Sequence, residues 1–268
     1  MHHVNPSGFY SMTAQVPVQP IRAVQLEIAI ASASGAAAAQ AGGANRVELC
    51  SGLELGGLTP SAGLVDACME AGTLPVNVSL RPRPGDFHYD ESELATAERE
   101  ARMLARQGVA GVVLGALRRD GTIDVPATSR LIAAVLDQSA DTVITFHRAI
   151  DHVADPIAAL KTLAGLNVHR VLSSGQAHRA IDGLAVLKQM KSLNTEVEIM
   201  AGGGVRPEDI PVLIGRARID AVHLSAKISG PSVPASAVAL GSADQGDPNR
   251  YFITDESLVR SAAENLDK

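Results

Sequence analysis

Aromatic side chains are scarce in this chain: they make up 3% of 268 residues, and tryptophan is absent. That argues against a nucleic-acid platform, which stacks bases on exposed rings. An excess of positive charge is missing too. The net charge of −6 removes the broad cationic footprint of a nucleic-acid or anionic-membrane binder, but it leaves room for a local anion site. Cysteine is limited to Cys50 and Cys68, too few for a disulfide scaffold and not spaced as a zinc motif. A reducing compartment, the cytoplasm, is the expectation. No run of about 18 or more apolar residues occurs, so no membrane span is expected. Residues 1–22 lack both the apolar centre of a signal peptide and the arginine bias of a transit peptide. They read as a flexible arm, native or added for expression, ahead of one domain over 23–268.

What the chain has is small and apolar. Apolar residues reach 46%, dominated by Ala, Val and Leu, and this suits helices packed closely on a parallel sheet. From Val24 onward, short β-rich runs alternate with helical stretches. The runs are 24–30, 46–50, 75–81, 109–115, 143–148, 169–175, 197–204 and 220–226. Thr59 and Pro60 read as the N-cap and first residue of one helix, 91–107 as a long charged helix, and 254–266 as a closing helix. Strict alternation implies parallel pairing. Eight units over this length predict an α/β fold, a (β/α)₈ TIM-type barrel, which typically takes ~250 residues. A doubly wound open sheet is the runner-up, but no G-x-G-x-x-G follows the first run. Residues 229–249, rich in Gly, Pro and Ser, read as an excursion before the closing helix.

Side chains alternate along a strand, so parity sorts each run into two faces. One face is apolar and needs the helices. The other carries Glu27, Glu48, Arg81, His147, Ser173, Glu198, His223 and Ser225. The sixth run is phased with Leu172 outward and Ser173 inward. Packed barrels usually fill the interior with branched aliphatics. Burying this many ionisable groups is unfavourable unless they pair or serve a ligand. Glu27, Glu48, Arg81, His147 and His223 are therefore the candidate catalytic set. His147 or Glu48 would act as base, His223 as acid, and Arg81 as a bidentate clamp on a carboxylate or phosphate. Arg148 is placed at the rim. A salt-bridged plug at the barrel bottom is the structural alternative, with Glu27 and Glu198 as its first members. Asp86 and His88 lie in a plausible mouth loop.

Gly202, Gly203 and Gly204 end the seventh run, with a helix expected near Pro207. Successive glycines let backbone amides approach an oxyanion, and barrel loops after strands seven and eight often bind phosphate. With Ser173 and Ser225, they form the candidate anion site, and Lys227 lies close by in sequence.

"NRVELCSGLELGGLTPS", "LRPRPGDF", "VLGALRRDGTID", "TFHRAID", "VLSSG", "AGGGV" and "HLSA" follow in that order along the chain. Together they resemble the CutC family, named for copper homeostasis. The resemblance implies a TIM-type barrel, a cytoplasmic location, a homodimer or larger assembly, and copper binding. It puts Cys50 forward as the metal ligand, with Cu(I) as the ion. The chain departs from the family at Ala29, where many relatives carry Cys, and at Ala31, where many carry Asp. Two readings follow: a copper-handling protein centred on Cys50, or an enzyme using the interior acids and bases on a small anionic or phosphorylated metabolite. Neither involves nucleic acid or membrane.

Overall fold

The computed structural model describes residues 23–231 and 251–268. The expected arm at 1–22 and most of the 229–249 excursion lie outside the described residues.

Eight parallel strands close into a barrel, and each is followed by a helix. They are β1 (Gln25–Ile30), β2 (Arg46–Leu49), β3 (Val76–Ser79), β4 (Gly111–Leu114), β5 (Val143–Phe146), β6 (Arg170–Ser173), β7 (Glu198–Gly202) and β8 (Ala221–Leu224). Each lies within one of the expected runs. β1 pairs with both β2 and β8, which leaves the barrel without an edge. The helices are α1 (Ala33–Ala41), α2 (Ala62–Glu70), α3 (Glu91–Gln107), α4 (Val125–Leu136), α5 (Pro156–Ala164), α6 (Leu184–Ser192), α7 (Ile210–Ala217) and α8 (Glu256–Glu264). A short antiparallel pair, β9 (Lys227–Ser229) and β10 (Phe252–Thr254), precedes α8.

Local chemistry sets the helix ends. Asp90 caps α3 through a capping box with Glu93, and Gly108 ends that helix in the left-handed region at φ 80°. At α2 the expectation is corrected. Ser61 is the N-cap, accepting the Leu64 amide, and the helix starts at Ala62. Thr59 accepts the Arg81 amide at 3.0 Å and donates to Glu100, so its hydroxyl joins elements outside the helix it was expected to cap.

Leu26, Ile28, Val47, Val78, Ile144, Val171, Ile199 and Val222 belong to the main core between sheet and helices. A separate small cluster of Leu172, Met200 and Ala221 is buried apart from it. This corrects the phase of the sixth strand. Arg170 and Leu172 share the interior face, whereas Val171 joins the helix layer, because Arg170 is needed opposite Glu198 in register. Apart from that apolar cluster, the interior is largely polar, and register determines its pairing. Glu27 sits beside Arg46 on one neighbouring strand and His223 on the other, and it bonds to both.

Candidate functional site

A cavity of about 300 Å³ opens among the C-terminal strand ends. Of the expected residues, Glu48, Cys50, Arg81, His147, Gly203, Gly204, His223 and Ser225 line it. Arg148 and Lys227 line it too. Glu27 lies beneath, fully buried and in contact with His223. Gly202 packs against Leu172 and His223 and is not part of the lining; a β-carbon there would come within 2.5 Å of Leu172 Cδ1.

Ser173 does not face the cavity. Its hydroxyl donates to Asp151 at 2.6 Å, with the side chain turned away from Leu172's face. Ser173 thus serves a strut. Asp151 accepts from Ser173 Oγ, from the Ser174 amide and hydroxyl, and from Arg148 Nε at 2.8 Å. That strut holds the Arg148 guanidinium beside Gly203, where a β-carbon would meet its Cζ at 3.0 Å. Gly203 has φ 111° and Gly204 φ 59°, so the turn requires glycine twice over. Glu198 lies at the opposite end of the barrel, paired with Arg170 at 2.9 Å. Asp86 bonds to Arg83, and His88 contacts the Leu117 carbonyl; neither reaches the cavity.

The electrostatic centre is a row of three groups. Glu27 Oε1 accepts from His223 Nδ1 at 2.9 Å, and His223 Nε2 faces Glu48 Oε2 at 3.4 Å. Burial alone would raise the pKa of Glu27. The His223 hydrogen bond and the Arg46 and Arg170 charges outweigh it and hold the carboxyl near 2. Arg46 donates to it at 2.6 Å and Asn77 at 2.9 Å. Glu48 lacks such donors, and burial, with the Glu27 charge adding to it, lifts its pKa to about 7 against the pull of His223. Burial opposes charge on His223 as well, but the Glu27 hydrogen bond and the Glu48 charge raise its pKa overall. Glu27 therefore orients the imidazole and favours its protonation, while Glu48 Oε2 lies 3.4 Å from the opposite ring nitrogen.

His147 differs. Its Nδ1 accepts the Ala149 amide at 3.2 Å. Burial, followed by the Arg81 charge, pushes its pKa down to about 3. The neutral ring, with Nδ1 engaged by the Ala149 amide, presents Nε2 as a donor. Arg81 donates from Nη1 to the Leu55 and Gly57 carbonyls and from Nη2 to the Gly85 carbonyl. These contacts take both Nη1 protons and one of Nη2, so the expected bidentate contact has only Nε–H and the second Nη2–H to draw on.

Metal chemistry can be tested on the donors. Glu27, Glu48 and His223 place ligand atoms within 4.8 Å of one another. Two carboxylates and an imidazole are harder than Cu(I) prefers. Both Glu27 oxygens are already engaged, leaving a carboxylate and an imidazole, neither of them the soft donor that selects Cu(I). Cys50 is one thiol beside Ala29, and burial, then the Glu48 charge, pushes its pKa up, away from the thiolate that binds metal. Cys68 packs in the helix–sheet core. These residues do not fit a Cu(I) site.

The family model for CutC matches residues 24–228. This chain belongs to the CutC family. A CutC family protein of Aliivibrio fischeri (strain MJ11) is 40% identical over 210 residues, which cover 78% of this chain and 84% of that protein. One from Klebsiella pneumoniae (strain 342) is 38% identical over 242 residues, covering 87% and 94%. The crystal structure of CutC from Streptococcus agalactiae, a protein named for copper homeostasis, superposes with a TM-score of 0.68 at 27% identity, over 75% of this chain and 98% of that one. As a CutC protein, the chain thus has the expected barrel.

Sequence reading missed several contributors. Arg46 shares parity with Glu48 two positions on, so the same alternation that exposed Glu48 could have found it. Phe87, which packs against both Arg81 and His147, lies in a Pro/Gly loop where no periodicity operates.

Proposed function

We propose that this CutC protein is an acid–base enzyme acting on a small anionic metabolite. The observation that carries this reading is the Glu27–His223–Glu48 row beside a cation-lined cavity. Glu48, with its carboxyl near pKa 7, takes or returns a proton at the substrate. His223 supplies or relays it, held by ionised Glu27. Arg148, Lys227 and the Gly203–Gly204 turn favour a negative group at the mouth. Among the described residues no helix is long and apolar enough to cross a membrane. Cytoplasmic location and homo-oligomeric assembly belong to this reading on the strength of the family resemblance.

The test is proton NMR in D₂O of small carboxylates and phosphate esters with the intact protein, read for conversion or for exchange of carbon-bound protons. At least one compound should react, and Glu48→Gln should slow it about 100-fold or more. A reaction equally fast in Glu48→Gln would refute the assignment. Copper handling is the second reading, favoured by the position of Cys50 on the same cavity. It predicts tight one-to-one Cu(I) binding against a competing chelator, lost in Cys50→Ala. The donor set predicts binding that is weak and indifferent to that substitution.

A further inference from the structure

Beside the β8–β1–β2 row and facing it, the ends of β3 and β5 bring a second pair of groups to the cavity. Arg81 and His147 are each only 7% exposed. Each also holds a buried nitrogen without a partner among the described residues: Arg81 Nε and His147 Nε2. Among the described residues no carboxylate pairs with Arg81, whose guanidinium meets the Leu55, Gly57 and Gly85 carbonyls and the Phe87 ring. The His147 tautomer follows from its contact. Nδ1 accepts the Ala149 amide, so the ring proton is on Nε2, which is therefore a donor. Its depressed pKa agrees with this neutral form.

Phe87 fixes both donors. Its ring lies 5.1 Å from the Arg81 guanidinium and 4.8 Å from the His147 ring. Gly115 is a further sign that the imidazole is held closely, since a β-carbon there would come within 2.7 Å of the ring. Two desolvated N–H groups with no acceptor among the described residues are unfavourable in the free molecule, and such groups favour a ligand that supplies acceptors.

We propose that Arg81 Nε and His147 Nε2–H together form a subsite for an acceptor-only oxygen group of the ligand, a carboxylate or a phosphate. The adjacent guanidinium charge selects an anion over a hydroxyl. His147 contributes as a neutral donor, which polarises the bound group without taking its proton. The subsite names the substrate class for the cavity of the preceding reading and rests on that reading for its catalytic meaning. Its own residues take no part in the proton-transfer row, so the two can fail separately.

The experiment is histidine side-chain ¹⁵N–¹H NMR with calorimetry on the intact protein, titrated with sodium phosphate and, separately, sodium acetate, against sodium chloride. The His147 Nε2–H signal should shift saturably with at least one of the two. Phosphate alone would identify a phosphate ligand, acetate alone a carboxylate, and either supports the subsite. His147→Leu should weaken binding about tenfold or more, while His147→Gln, which restores a donor, should stay within about threefold of the parent. Glu48→Gln, which removes a negative charge from the same cavity, should bind the anion at least as tightly as the parent does, even if it is inert in the exchange assay. The proposal is overturned if neither anion moves the His147 signal, or if His147→Leu binds as well as the parent. Binding lost in Glu48→Gln but kept in His147→Leu would overturn it as well.

Discussion

Glu48 shows at the scale of one residue how a site is made from a mismatch. Its neighbour in space, Glu27, receives Arg46, Asn77 and His223, and stays ionised down to about pH 2. Glu48 has only the 3.4 Å approach to His223, and its pKa climbs from 4.5 to about 7. The folded state therefore holds this proton more tightly than the unfolded chain does. The stabilising contribution is present below pH 4.5 and is lost as pH rises through 7. At pH 8 the buried charge destabilises the fold by up to about 3 kcal/mol, taking roughly 1.4 kcal/mol per unit. Glu48→Gln should thus be more stable than the parent at pH 8, with the gap shrinking towards pH 5. Urea unfolding at the two pH values measures it, and an equal gap at both would mean that Glu48 titrates as an ordinary surface acid. A site that opposes stability in this way is expected of a catalytic group. The sequence showed where Glu48 points, through strand parity. It could not show the two carboxylates' different pKa values, because those depend on which cross-strand neighbours register supplies.

At the scale of the element, the β6 end shows where parity reading fails. The sixth run, 169–175, contains Arg170, but Leu172 shares its parity and is apolar, so alternation alone put that face outward. With the phase corrected, Ser173 and Ser174 grip Asp151, which answers why the β5 run ends on His147, Arg148 and, three residues later, Asp151. The grip depends on backbone packing. The short turn Ala180–Gly183 presses so closely on this loop that a β-carbon on Gly183 would lie 2.0 Å from the Ser174 carbonyl. Gly183→Ala must therefore displace the loop, with a loss of about 1–3 kcal/mol and a loosened Arg148. Gly215 in α7 has open space around its added carbon, and Gly215→Ala should instead stabilise by about 0.5–1 kcal/mol. Thermal melts of the two variants should move in opposite directions. A shift of the same sign in both would mean that the β6 loop accommodates the methyl group.

For the whole molecule, the barrel was legible because alternation of β-rich and helical runs repeats eight times, and that repetition survives errors in any one unit. What holds the barrel's interior together was less legible. Glu27 on β1 bonds to side chains from β2, β3 and β8, and Arg170 of β6 lies 4.0 Å away, so one carboxylate ties together strands from around the ring. Sequence analysis offered two roles for such a residue, catalytic member or structural plug, and the geometry gives Glu27 contacts suited to both. Glu27→Ala would leave Arg46 buried without its partner, a change that typically costs about 3–5 kcal/mol. Because the contacts span the barrel, the loss should appear as a lower urea midpoint for the whole fold with an unchanged slope. A small effect would mean that the helix layer alone carries closure. Lost activity in Glu27→Ala cannot by itself separate the two roles, but Glu27→Gln can. It keeps oxygen for Arg46 while removing the charge that raises the His223 pKa. The fold should survive this change better than it survives Glu27→Ala. The His223 pKa, followed by ring NMR, should fall, and the exchange reaction should slow with it.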